Sequence, residues 1–204
     1  MSGHKIDRRL FVTGVAALAA CSSDPPPPEV FYRLGAPAPV QPLAGGPIPG
    51  ILDVSQVRTR GAVGGRAMLY RNAPDQVIAY HYHAWQEPVG VMLQRALVDA
   101  LRAARAFETI ATPEMRLDRD YELMGDLRLL EHVLSGASSS VVIEIEITLR
   151  RIRGNRQLLM KTYRAEEPVS GTAVAGAVPA FTRAVDRITA GLLADIAALP
   201  RDAA

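Results

Sequence analysis

"SSSVVIEIEITLRRI", Ser138 to Ile152, alternates without a break: Val141, Ile143, Ile145, Ile147 and Leu149 take every second position, with Val142, Glu144, Glu146, Thr148 and Arg150 between them. A period of two sends successive side chains to opposite faces of a strand, so one face of this segment is buried and the other meets water or a partner. Arg153-Gly154-Asn155-Arg156 turns the chain into "QLLMKTYRA". Upstream, "YELMGDLRLLEHVL" puts Tyr121, Leu123, Gly125, Leu127 and Leu129 on one face and Glu122, Asp126 and Arg128 on the other. Three such strands in succession predict an antiparallel run.

Two helices flank this run. In "PVGVMLQRALVDALRAAR" the residues Val89, Met92, Leu93, Ala96, Leu97, Ala100, Leu101 and Ala104 recur at spacings of three and four, and Pro88 suits a first turn. A longer helix is predicted from about Ala173 to Ala198, with Val178, Phe181, Val185, Ile188, Leu192, Ile196 and Leu199 on one side. Further β-prone pieces are "EVFYRLGAP" from Glu29, "ILDVSQVRTR" from Ile51 to Arg60, two runs around the turn residues Asn72-Ala73-Pro74-Asp75, and "AFETIAT". "APVQPLAGGPIPG" reads as a surface loop. The expected class is α+β: a two-layer sandwich with a mainly antiparallel sheet and two long helices packed on one face.

The chain has 204 residues, 49% of them hydrophobic, enough for one domain with a real core. Its formal charge is +2, but Lys5, Arg8 and Arg9 against Asp7 all precede Cys21, which leaves acids and bases equal in number thereafter. A nucleic-acid binder needs clustered cations to meet phosphates, so that class is set aside. A single cysteine closes no intramolecular disulfide.

The N-terminal region is laid out as an export signal: the polar, basic "MSGHKIDRR" precedes the apolar "LFVTGVAALAA", Leu10 to Ala20. As a helix that run would extend about 16 Å, against about 30 Å of bilayer hydrocarbon, so it is too short to span. Leu18-Ala19-Ala20-Cys21 resembles a bacterial lipobox, in which Cys21 is the lipidation site and the first residue after cleavage; the alternative is an ordinary secretory signal cleaved after an Ala-x-Ala-like site, with Cys21 incidental. Arg8, Arg9 and Phe11 fit a twin-arginine signal, whereas Asp7 stands where Ser or Thr is usual, which leaves Sec export as the alternative. "SSDPPPP", Ser22 to Pro28, has nothing to contribute to a core, and its prolines favour an extended spacer. The expected organisation is a signal peptide over 1–20, a tether over 21–28 and a single domain over 29–204.

Motifs for chemistry are sparse. In "YHYHAW", Tyr80 to Trp85, His81 and His83 would project from one strand face as two metal ligands do, yet no spacing ties His132 or a carboxylate to them as a third. Half-buried histidines beside the lone Trp are the simpler expectation. Ser138 to Ser140 lie in a turn-like "SGASSS" without a nucleophile elbow, and "GAVGG" lacks the Lys and Ser/Thr of a phosphate-binding loop. Asp118, Asp120, Glu122 and Asp126 decorate or bracket the exposed side of a strand and read as solvated charges. No catalytic residue, metal or cofactor is expected.

The order of these pieces resembles the ABC-type transport auxiliary lipoproteins. It is carried by "FYRLGAP", "RAMLYRNAPDQVIAYHYHAWQEPVGVMLQRALVDAL", "FETI", "DYELMGDLRLLE" and "YRAEEPVSGTAVAGAVPAFTRAV" behind the lipobox. His83 and Ala84 precede Trp85 where that family often has an arginine. The resemblance implies a non-catalytic lipoprotein anchored through Cys21 to the periplasmic face of the outer membrane. Its partners would be an inner-membrane ABC permease and a periplasmic protein of the mammalian-cell-entry (MCE) type, with homo-oligomerisation into a ring, and the cargo would be phospholipid or another hydrophobic molecule. Ser22 after the cysteine leans toward the outer rather than the inner membrane. The alternatives are an assembly lipoprotein for another envelope machine and a lipid-binding shuttle, the latter requiring a cavity that fully used apolar faces would not leave.

Overall fold

In the computed structural model, which describes residues 26–35, 37–136, 138–171 and 173–200, the chain runs β1 (Val30–Tyr32), β2 (Ile48–Val54), β3 (Ala67–Arg71), β4 (Ile78–Trp85), α1 (Val89–Ala103), β5 (Phe107–Ala111), β6 (Tyr121–Ser135), β7 (Ser138–Arg151), β8 (Arg156–Val169) and α2 (Val174–Ala197). The expected α+β class is the one observed. The strands form one mixed sheet. Its longest ladders, β6–β7 and β7–β8, are antiparallel. Shorter pairings of β1 with β4, β2 with β5, and both β2 and β3 with β6 are parallel. Among the described residues no helix is long and apolar enough to cross a membrane.

The sheet forks at β6. One edge of this strand pairs with β7 along its whole length, while the other is shared: Leu52 to Val54 of β2 pair with Tyr121 to Leu123, and Tyr70 and Arg71 of β3 pair with His132 and Val133. Between the two branches the chain keeps contact with β6 through Ser55 N to Leu123 O (2.9 Å), Arg58 N to Gly125 O (2.9 Å) and Leu127 N to Arg58 O (2.8 Å). The strand expected from Ile51 to Arg60 therefore begins earlier, at Ile48, and ends at Val54, with Arg58 rejoining β6 as an isolated bridge. The start of α1 sits directly on this crossing. A side chain at Gly90 would place its Cβ 2.3 Å from the Val57 carbonyl, so the close approach needs glycine.

Alternation in β7 is obeyed: Val141, Ile147 and Leu149 are 0% exposed and Ile143 and Ile145 nearly so, all facing the helices. The β7–β8 turn is made by Gly154 and Asn155, which take positive φ of 81° and 48°, a conformation these two residues tolerate best. In β6 the alternation breaks. Leu127 pairs with Ile145, but Leu129 pairs with Glu144, an extra residue having entered between them. Leu130 takes the buried place expected for Leu129, which is only half-buried, and His132 follows Leu130 into the interior.

Both helices pack on one face, as expected. Phe181, Val185, Ile188, Leu192 and Ile196 of α2 and Met92, Leu93, Leu97 and Leu101 of α1 join the strand residues in one continuous core. Trp85, fully buried at the end of β4, meets Phe181 edge-on at 5.3 Å between ring centroids. The proline-rich segment expected as a plain surface loop instead straps across the two helices. Gly35 N donates to Thr182 Oγ1 (2.9 Å), Ala38 N to Asp186 Oδ1 (3.2 Å) and Leu43 N to Ala104 O (2.8 Å), while Val40 and Leu43 are packed on the core.

Candidate functional site

The most distinctive side-chain grouping lies where β1, β3 and β4 meet the second half of β6. His81 and His83 do not present a paired face, because Tyr82 between them adopts a left-handed φ of 60° and interrupts the strand's alternation. His83 is half-buried, with Nδ1 3.0 Å from the Tyr32 hydroxyl, whereas His81 is exposed. Tyr80 reaches inward instead. Its hydroxyl lies 2.8 Å from Nδ1 of His132, a residue 0% exposed, and its ring packs 4.4 Å from that of Tyr70.

Burial sets the protonation of this pair. It pushes the Tyr80 phenol up to about 12 and holds the His132 imidazole below its ordinary value. Both groups are therefore neutral at neutral pH and share one hydrogen bond between the phenol oxygen and Nδ1, and Nε2 of His132 is a buried atom with no partner among the described residues. A neutral imidazole held by a phenol packs and hydrogen-bonds β4 to β6 here. Among the described residues, no three of His, Cys, Asp and Glu converge as metal ligands would.

The four carboxylates singled out in the sequence are dispersed rather than paired. Asp120 accepts from Ile51 N at 2.8 Å. Glu122 meets Arg150 at 2.6 Å and Arg119 at 3.3 Å. Asp126 meets Arg60 at 3.1 Å and Arg58 at 3.4 Å, and Asp118 is exposed on the connection before β6. The structure adds Asp53, only 5% exposed, which sits beside Glu122 in the sheet and shares Arg119 with it at 3.2 Å. Loss of hydration raises the Asp53 carboxyl above its usual range in spite of that arginine. Nothing local in the sequence marks this residue, because its partners come from a strand and a loop some 66 positions away.

The rest of the open sheet face continues in the same manner: Arg128 pairs with Glu146 at 2.6 Å, and Arg164 with Glu144 at 3.0 Å. Ser138 to Ser140, expected in a turn, begin β7, and their hydroxyls donate to Ser135 O, Gly171 O and the Glu166 carboxylate. Of the three, Ser140 is the one that meets a titratable group, the Glu166 carboxylate at 2.8 Å. Cys21, the one functional position named from the sequence, lies outside the described residues.

Cavities are small and peripheral. Between α1, α2 and β7 the interior void measures about 10 Å³, at the limit of what holds one water. A surface cleft of about 230 Å³ opens where the strap crosses the helices, with Leu34, Met92 and Val185 on its floor and Arg33, Arg95 and Asp186 around it. A shallow depression of about 390 Å³ lies beside β1, bounded by Phe31, Arg66, Tyr80, Tyr82 and His83.

Residues 32–193 match the family described as ABC-type transport auxiliary lipoprotein component. Among solved structures, the chain is similar to XCC0632 from Xanthomonas campestris, with 23% identity, a TM-score of 0.71, and coverage of 80% of this chain and 92% of that one. It is also similar to an uncharacterized protein at 16% identity and a TM-score of 0.66, covering 83% of this chain and 99% of the other. These likenesses establish a shared fold. No curated protein matches the chain.

Proposed function

The chain belongs to the ABC-type transport auxiliary lipoprotein family, a membrane-anchored envelope family, and on that premise we propose that it is the non-catalytic docking component of an MCE-type lipid transporter. In this reading Cys21 carries the lipid anchor on the outer membrane, residues 21–28 form the tether, and the domain that follows holds the far end of a periplasmic conduit whose energy comes from an inner-membrane ABC permease. The family match over 32–193, directly behind Leu18-Ala19-Ala20-Cys21, is the observation that carries it. Two or three acyl chains contribute about 0.8 kcal/mol per buried CH₂, enough to hold a domain of this size firmly on a bilayer.

The packing favours docking over shuttling. The void between the helices and β7, about 10 Å³, is too small for an acyl chain, and the larger grooves of about 230 and 360 Å³ along the strap lie at the surface. The open sheet face is laced with ion pairs rather than lined for a hydrophobic cargo. The test is affinity capture of the full chain from detergent-solubilised envelopes, with Cys21→Ala alongside. The wild type is expected in the membrane fraction with MCE-domain and permease proteins, and the variant as unprocessed precursor or in the soluble periplasm. Recovery of outer-membrane β-barrel or cell-wall factors alone would sink the assignment, and unchanged attachment of Cys21→Ala would sink the anchor.

A further inference from the structure

We propose that the bulge around Tyr82, together with Phe31, is a membrane foot: a patch that rests in the interfacial layer of the bilayer to which the chain's own anchor is attached. This inference rests on the lipid-anchor reading of Cys21 and adds the surface by which the domain sits on that membrane.

Four observations converge on it. The first is a backbone irregularity. Ala67 pairs with Ala84 and Leu69 with Ala79, so β4 spends five steps where β3 spends two. The surplus residues bulge from the sheet, with Tyr82 held at a φ of 60° that is costly for a bulky aromatic residue. Strain of this kind persists where the surrounding structure insists on it, and here it turns an aromatic ring outward.

The second observation is what the bulge exposes. Tyr82 is 44% exposed and Phe31 on the adjacent β1 is 48% exposed, and both border the same depression. Arg66 completes the patch. Its guanidinium lies 4.8 Å above the Phe31 ring, fixed by a 3.0 Å hydrogen bond from Nε to Trp85 O, and among the described residues the other guanidinium nitrogens are left to meet a phosphate. Aromatic rings beside a guanidinium suit a layer in which acyl chains give way to headgroups.

The third observation is direction. β1 runs parallel to β4, and β4 runs antiparallel to β3, so the chain enters β1 from the end of the sheet that carries the β3–β4 hairpin. Cys21 precedes Val30 by nine residues, which at full extension limits their separation to about 30 Å. The anchored bilayer must therefore lie within that reach of the patch.

Charge is the fourth. The hairpin loop "NAPDQV", Asn72 to Val77, contains one ionisable residue, Asp75, and ends on Val77, which is 50% exposed. The β7–β8 hairpin at the opposite end of the sheet carries Arg150, Arg151, Arg153 and Arg156. The hairpin loop on the tether side carries less charge to dehydrate than the hairpin opposite, while Glu29 and Arg66 border the depression itself.

The experiment uses the full lipidated protein, purified from membranes and reconstituted into vesicles of phosphatidylethanolamine and phosphatidylglycerol containing acyl-brominated phosphatidylcholine. Phe31→Trp and Tyr82→Trp serve as separate reporters, with Met160→Trp, 55% exposed on β8, as the remote control. Relative to vesicles without bromine, emission from each of the two patch reporters is expected to fall about twofold, as for a ring at the acyl boundary, while the control is unchanged. Unquenched reporters on protein that still floats with the vesicles would overturn the foot and leave the anchor standing. Protein that fails to float would remove the anchor reading and the foot with it. Shielding of the reporters that grows with protein concentration in detergent alone would assign the patch to a second copy of this chain and overturn the proposal.

Discussion

The two branches of the forked sheet behave as different materials. The β6–β7–β8 ladder has long pairings, a largely apolar face against α2 in which Glu167 meets Arg183 and Arg187, and an ion-paired face outside. The β1–β3–β4 wing has short pairings, register shifts, exposed aromatics and a tyrosine in a left-handed conformation. In the ladder local preferences agree with the fold except at the β6 bulge beside Leu129 and a register shift between Leu149 and Arg150, whereas the wing departs from strand rules at the place where side chains face outward. Such departures mark the part of a molecule that meets something else, and the ladder supplies the rigidity that tolerates them.

Trp85 is the joint between the two, and removing it has the largest expected effect. It is fully buried against Phe181, so Trp85→Ala should cost about 3–5 kcal/mol of stability in denaturant titration. Hydrogen exchange should then show amides of β1 and β4 losing protection well before those of β7. Equal loss in β7 would mean that wing and ladder unfold as one unit, and the comparison would break.

The Tyr80–His132 pair sharpens it at an intermediate scale. Burial lowers the His132 pKa from 6.5, so below that value the unfolded chain takes up a proton that the folded chain resists. The contribution of this residue to stability is therefore complete above pH 6.5 and is lost as the pH falls. As the pH falls through this range, His132→Gln should lose less stability than the wild type in denaturant titrations. An unchanged pH dependence would show that His132 titrates in the folded wing as freely as in water.

The smallest effect belongs to the outer face of the ladder. Arg128 is about half exposed and pairs with Glu146 and Glu144 on the neighbouring strand. Arg128→Ala should change stability by no more than about 1 kcal/mol. A loss beyond about 2 kcal/mol would make this face a structural layer rather than a solvated one.

What could be read in advance follows the same division. The strict alternation of Val141 to Leu149 and the three-and-four spacing in both helices required no tertiary information, because each periodicity fits only one backbone geometry with a single buried face. "LRLLEH" was different. Leucines at 127, 129 and 130 satisfy either register of a strand, and only pairing with β7 selects the bulge that buries Leu130 and His132. "YHYHAW" drew attention from the sequence alone, yet its inward partners, Tyr32, Tyr70 and His132, come from three other strands.

By itself the sequence determined the α+β class, the two helices that cover one face, and a cysteine placed behind an apolar run where an anchor would be attached. Each of these follows from local order: periodicity, turn residues and the layout of the first twenty residues. Only the tertiary structure decided that β6 serves two branches, that the proline-rich segment straps α1 to α2, and that Asp53 shares an arginine with Glu122. These depend on pairings between segments dozens of residues apart, where competing registers bury similar apolar surface and the whole core must choose among them.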